Sequence, residues 1–88
     1  MPTVHFLVKG RVQGVGYRFF AQDEADRLRL SGWVRNLPTG EVEVVASGPE
    51  ENLRRLIDRL RKGPTLSRVT GVEVDWSEEE IHEEFHIR

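Results

Sequence analysis

Between Gly10 and Arg18 the chain reads Gly10-Arg11-Val12-Gln13-Gly14-Val15-Gly16-Tyr17-Arg18. Three glycines in seven residues let the backbone take angles that side chains resist, and leave amide N–H groups able to converge on an anion. From Tyr17 onward the apolar period becomes helical, so the loop feeds a helix N-terminus, whose unpaired N–H groups and dipole favour negative charge. Arg18 adds a full charge and a planar fork matched to phosphate oxygens. The same residues are equally compatible with a tight turn that serves backbone geometry alone, with Arg18 a solvated helix residue. The nucleotide P-loop pattern is not matched, because no Gly-Lys-Ser/Thr follows, and neither is the dinucleotide fingerprint.

Asn36 is the second candidate. The chain holds only four side-chain amides, Gln13, Gln22, Asn36 and Asn52, and two of them fall in the segments suited to chemistry. Asparagine is disfavoured within strands, yet Asn36 is expected at the end of one. Its amide both donates and accepts, so it can hold a water while leaving that water a free lone pair. The stretch Asn36-Leu37-Pro38-Thr39-Gly40 is also a good Asn-initiated turn, and Asn36 taken alone fits that better.

The elements that must position these residues follow from periodicity. Val4, Phe6 and Val8 alternate with His5, Leu7 and Lys9, predicting a first strand. A helix is expected from about Arg18 to Leu30, with Tyr17, Ala21, Ala25 and Leu28 at helical spacing and Gly32 as a left-handed cap. Gly32 to Leu37 and Glu41 to Ala46 read as a hairpin. Pro49 suits the first position of a second helix, with Glu50 and Glu51 at its positive end. Leu53, Leu56, Ile57 and Leu60 form its apolar stripe, and Gly63-Pro64 ends it. Val72, Val74 and Trp76 alternate in a fourth strand, and Phe85-His86-Ile87 is a short last one. The order β-α-β-β-α-β plus a terminal strand is an α+β, ferredoxin-like split-βαβ sandwich, with both helices on one face of an antiparallel sheet. That fold hosts enzymes, RNA binders and metal chaperones alike, so it does not choose a function.

Composition narrows the classes. The 88 residues are expected to form one domain spanning 1–88. There is no cysteine, which removes disulfides, thiolate metal sites and a thiol nucleophile, and favours a reducing compartment such as the cytoplasm. No apolar run approaches the roughly 18–20 residues that span a bilayer, and Met1-Pro2-Thr3-Val4-His5 lacks a signal-peptide layout. A net charge of −2 is not the footprint of a nucleic-acid binder. His5, His82 and His86 are too scattered to share a metal by spacing. Glu78 to Glu80 with Glu83 and Glu84 lack the alternate spacing of a calcium loop and are expected to be a solvated turn. Trp33 and Trp76 are expected in or partly in the core.

Taken together, the two candidate segments resemble the acylphosphatase family. Gly10 to Arg18 fits its signature G-x-V-Q-G-V-x-(F/Y)-R at every fixed position. Gly32-Trp33-Val34-Arg35-Asn36-Leu37-Pro38-Thr39-Gly40-Glu41-Val42, followed by Gly48, fits the second signature. The resemblance covers nearly the whole chain. It implies an enzyme that hydrolyses the carboxyl–phosphate bond of acyl phosphates without metal or cofactor. Arg18 would bind the substrate phosphate, the backbone amides of Gln13, Gly14, Val15, Gly16 and Tyr17 would cradle it, and Asn36 would orient the attacking water. Inorganic phosphate would be product and competitive inhibitor, and the chain a monomer that engages neither nucleic acid nor membrane. Position 21 is Ala21, where some members carry threonine, so no hydroxyl is available there to assist Asn36.

An acyl phosphate is a mixed anhydride whose carboxylate leaves without a general acid, so a site lacking a catalytic His, Cys or metal suffices. What remains is alignment and charge stabilisation, which dominate phosphoryl transfer. Two rivals stay open at this point. An RNA-binding module shares the topology, and Gly14 to Phe20 has the glycine-aromatic flavour of its base-stacking run, although there the run lies on a strand. An acylphosphatase-like domain that only recognises carbamoyl phosphate for a partner would carry the same motifs.

Overall fold

The computed structural model describes all 88 residues. Strand β1 spans Thr3–Arg11, helix α1 Tyr17–Arg27, β2 Ser31–Asn36, β3 Val42–Ser47, α2 Glu50–Lys62, β4 Arg68–Ser77 and β5 His86–Ile87. The sheet order is β4-β1-β3-β2-β5. The first four strands pair antiparallel, and the topology is the ferredoxin-like one expected. β5 departs from the wholly antiparallel sheet: it runs parallel to β2, with Trp33 opposite His86 and Val34 opposite Ile87. The reason is topological. β4 ends with Ser77 opposite Thr3, and Thr3 shares its sheet end with Ser31, where β2 begins, because both pair with Ser47. A chain crossing to β2's free edge from there must run in β2's direction. The crossing is fastened by Thr3 Oγ1 donating to Glu79 O and by Gly32 N donating to Glu83 O at 3.1 Å.

Alternation along the strands sorts the side chains. Val4, Phe6, Val8, Val34, Val42, Val44 and Ala46 are fully buried and meet Ala21 and Ala25 of α1 and Leu53, Leu56, Ile57 and Leu60 of α2. The stripe expected on α2 is therefore its buried face. The opposite face of the sheet has no helix and mixes charged side chains with Leu7, Trp33 and Val45. There His5 Nε2 lies 2.6 Å from Glu43, which also accepts from Arg35. Trp33 is half-buried on this face beneath the guanidinium groups of Arg88 at 4.4 Å and Arg35 at 5.1 Å. Trp76 is not a core residue: it lies at the end of edge strand β4, 41% exposed, under Arg54 at 5.0 Å.

Two helix ends differ from their sequence signals. α1 closes through Arg29, not Gly32. Arg29 takes φ 55°, Leu30 N donates to Ala25 O and Arg29 N to Asp26 O, which is the Schellman pattern with an arginine in the left-handed position. Gly32 instead sits in β2 at φ 136°, where a Cβ would lie 1.9 Å from Val45 O, so the close approach of β3 demands glycine. Pro49 caps α2 from one residue outside it, with φ −59° and ψ 137°, and its carbonyl accepts from Asn52 and Leu53. Its fixed φ suits either position; the extended ψ places it outside. Neither helix is long and apolar enough to cross a membrane.

Candidate active site

β1 hands the chain to a five-residue loop, Val12 to Gly16, before α1 starts at Tyr17. Gly14 has φ 74° and Gly16 φ 78°. A Cβ on either would meet nothing within 4 Å, so backbone conformation, not crowding, requires glycine here. Gly16 is the N-cap of α1; no side chain caps this end and the first turn carries no acid. From Gly14 to Phe19 no backbone N–H donates to a protein carbonyl. These are the orphan donors of a helix N-terminus extended by a glycine turn.

Arg18, in the first turn, is half-buried. The α1 acids nearest to it in sequence are engaged elsewhere: Asp23 with Arg27 at 3.2 Å, and Glu24 with Arg59 at 2.7 Å. The guanidinium is left without a carboxylate partner. Asn36 is the last residue of β2. It pairs with Val42 of β3, which on its other side pairs with Val8 of β1, so the ladder brings Asn36 to the end where the glycine loop leaves the sheet. Its Oδ1 is buried and accepts no hydrogen bond from the protein. Such an acceptor costs about 1–3 kcal/mol, a cost that points to a functional partner.

The two segments meet. Val12, Gly14, Gly16, Tyr17, Arg18, Phe19 and Asn36 line one cavity of about 100 Å³. A water takes up roughly 30 Å³ of liquid, so the space has the scale of a tetrahedral oxyanion. Arg18, Asn36, Gly14, Gly16 and Tyr17 thus stand together. Gln13 and Val15 do not line the cavity: Val15 packs against the core, and the Gln13 side chain turns toward the β2–β3 connection. Its Nε2 donates to Leu37 O at 2.8 Å and to Glu41 O at 2.9 Å. Those carbonyls already close the turn, accepting from Gly40 N and Leu37 N, so Gln13 fastens the glycine loop to the turn that carries Asn36.

Tyr17 anchors the loop from the other side. Its hydroxyl donates to Leu60 O at 2.6 Å, and burial pushes its ionisation far above the ordinary value. Leu60 needs this donor because the residue four further on is Pro64, which has no N–H. Neither bracing role was visible in sequence. The scarcity of amides singled out Gln13, but its partners lie 24 and 28 residues away.

The remaining candidates lie apart from this cavity. His5 stands on the open sheet face beside Glu43. Burial pushes the Glu43 carboxyl up, but hydrogen bonds from His5 and Arg35 outweigh it and hold the group below its ordinary 4.5. His82 and His86 pair with Glu80 at 3.4 Å and Glu83 at 3.6 Å in the exposed acidic segment. No group of three His, Cys, Asp or Glu side chains is arranged to hold a metal ion. A larger cavity of about 370 Å³, bordered by Met1, Arg29, Asn52 and His82, lies at the opposite end of the sheet, away from the Gly10–Arg18 segment.

Comparison with known proteins identifies the family. The family model described as acylphosphatase matches residues 4–87. The chain is 56% identical over 87 residues to an acylphosphatase of Thermus thermophilus, covering 99% of each. It is 51% identical over 77 residues to an acylphosphatase of Bacillus velezensis, covering 88% of this chain and 86% of that one. The crystal structure of acylphosphatase from Bacillus subtilis superposes with a TM-score of 0.97 at 43% identity, covering 100% of this chain and 99% of that one. With a family match over residues 4–87 and a relative more than half identical along nearly its whole length, the chain belongs to the acylphosphatase family, whose members hydrolyse acyl phosphates.

Proposed function

We propose that the phosphoryl group of an acyl phosphate sits in the cavity between the glycine loop and Asn36, and that residues 1–88 act as one catalytic domain without metal or cofactor. One observation supports the assignment of roles: Arg18 with its unpaired guanidinium, Gly14, Gly16 and Tyr17 with their free backbone N–H groups, and Asn36 with its buried, unpartnered Oδ1 all line a single cavity. Arg18 forks onto two nonbridging oxygens, and amides of the loop, together with the positive end of α1, receive the others. The loop amides of Gly14, Gly16 and Tyr17 border the cavity; those of Gln13 and Val15 complete the turn that aims them.

Asn36 Oδ1 accepts one O–H of a water, which leaves a lone pair of that water free to face phosphorus. The water oxygen forms the new P–O bond as the bond from phosphorus to the carboxyl oxygen breaks. The carboxylate leaves with that electron pair, and the water's proton passes to a phosphoryl oxygen. Charge on the equatorial oxygens is stabilised by donors fixed before the reaction starts, and alignment is supplied by Asn36. Inorganic phosphate, the product, fits the same donors and inhibits competitively. The chain works as a cytoplasmic monomer that recruits neither nucleic acid nor membrane.

Hydrolysis of benzoyl phosphate by the purified protein tests this. Arg18→Lys loses most phosphate inhibition and turnover, because a point charge cannot reproduce the fork. Asn36→Ala keeps phosphate inhibition and loses turnover. Near-normal turnover by Arg18→Lys, or parallel loss of inhibition and rate in Asn36→Ala, refutes the corresponding role. EDTA leaves the rate unchanged; inhibition that added metal reverses refutes the metal-free reaction.

A further inference from the structure

The cavity has one exposed lining side chain that phosphate chemistry does not use. Phe19 is 69% exposed, although it stands between Tyr17, which is 1% exposed, and Phe20, which is half-buried and tilted against Tyr17 at 5.9 Å. The helical period explains the split. Tyr17 and Ala21 point into the core, while Arg18 and Phe19 fall on the side of the first turn that meets the cavity. A large aromatic is thus held at the mouth of an anion site, beside the guanidinium that would grip the phosphoryl group.

The reaction geometry says which part of the substrate meets it. In an in-line displacement the leaving group lies opposite the attacking water. The water is held by Asn36 Oδ1, which is buried, so the acyl group departs toward the open mouth. Val12 is buried at 1%, and the other lining groups are Gly14, Gly16, Tyr17, Arg18 and Asn36. Phe19 is therefore the exposed apolar surface at that mouth.

We propose that Phe19 is the acyl-side wall of the site and sets a preference for acyl phosphates with a flat or bulky apolar acyl group over the acetyl compound. This rests on the placement of the phosphoryl group given above. An aryl acyl group gains an offset or edge contact with the ring and removes apolar surface of both from water, whereas an acetyl methyl removes little. At about 25 cal/mol per Å² of apolar surface, a one-sided contact of this kind corresponds to a preference of about 5- to 10-fold.

The test compares kcat/KM for benzoyl phosphate and acetyl phosphate in wild-type protein, Phe19→Ala, Phe19→Trp and Leu66→Ala. Leu66 is a second exposed apolar residue, 74% exposed, that does not line the cavity. Phe19→Ala is expected to lower the benzoyl-to-acetyl ratio by about 5- to 10-fold, mostly through KM, with the inhibition constant of phosphate held. Phe19→Trp keeps or raises the ratio, and Leu66→Ala leaves it in place. A ratio within twofold of wild type in Phe19→Ala, with both substrates still turned over, overturns the role of Phe19 alone. Equal loss of ratio in Leu66→Ala overturns it too. Failure of wild-type protein to turn over either substrate overturns the proposed function and this inference with it.

Discussion

Removing the Gln13 side chain tests whether the glycine loop and the Asn36 turn work as one unit. Gln13 Nε2 donates to Leu37 O and Glu41 O. Each carbonyl keeps a second donor, Gly40 N and Leu37 N respectively, so Gln13→Ala deletes two hydrogen bonds without orphaning an acceptor. The lower half of the usual range applies, about 0.5–1 kcal/mol for each bond, or about 1–2 kcal/mol together. In a domain of this size that lowers Tm by about 5–15 °C. Gln13→Glu keeps the volume but turns carboxylate oxygens toward two carbonyl oxygens, so it is expected to be less stable than Gln13→Ala at pH 7. The kinetic consequence is separable. Arg18 and the helix N-terminus remain, so phosphate inhibition changes little, while a slackened turn misplaces Asn36. Misplacement by about 1 Å can cost on the order of 100-fold, and a fall in kcat of about 10- to 100-fold is expected. Thermal unfolding and benzoyl phosphate hydrolysis read both effects. A Gln13→Ala protein with wild-type Tm and kcat within twofold would show that the loop and the turn hold their places independently, and the bracing role would be lost.

Other outcomes follow from single contacts. Tyr17→Phe leaves the buried Leu60 carbonyl without a donor, since Pro64 cannot supply one; a loss of about 1–3 kcal/mol is expected in denaturant unfolding. Arg29→Gly relieves a left-handed arginine in the Schellman cap of α1 and should raise stability by about 1 kcal/mol, measured the same way. Gly16→Ala places a Cβ at φ 78° facing the cavity; it should cost about 1 kcal/mol and weaken inhibition by phosphate, read by inhibition kinetics. The Glu43 carboxyl is held below 4.5 in the folded chain, so as pH falls the unfolded chain takes up that proton first. Stability from this group is whole above about pH 4.5 and is lost as pH drops through the folded value. Glu43→Gln should therefore flatten the acid limb of a stability-against-pH curve, and an unchanged limb would refute the linkage.

Much of the fold could be read from local pattern because each element carries its own period. Val4-Phe6-Val8 alternates, Leu53-Leu56-Ile57-Leu60 repeats at helical spacing, and both patterns proved to be buried faces. Glycine alone was ambiguous. Gly32 has the composition of a helix cap but serves the approach of β3, and the cap fell to Arg29, which no propensity favours. Trp76 carries the signal of a core residue, and only its place on an edge strand leaves it exposed. The direction of β5 was likewise invisible, since it depends on which sheet end β4 reaches.

The sequence by itself determined the chemical parts: a glycine loop opening a helix, an arginine in its first turn, and an amide ending a strand, in motifs long enough to mark the family. Those are local facts, set by residue type and spacing. The tertiary structure alone decided that the parts share one cavity, because Val42 pairs with both Val8 and Asn36 and so closes the 18-residue gap between Arg18 and Asn36. It also decided what holds them there, the Gln13 amide reaching the Asn36 turn and the Tyr17 hydroxyl filling the donor that Pro64 lacks, and it left the Asn36 oxygen buried without a partner. Hydrogen bonds between residues distant in sequence exist only once the sheet has set their register.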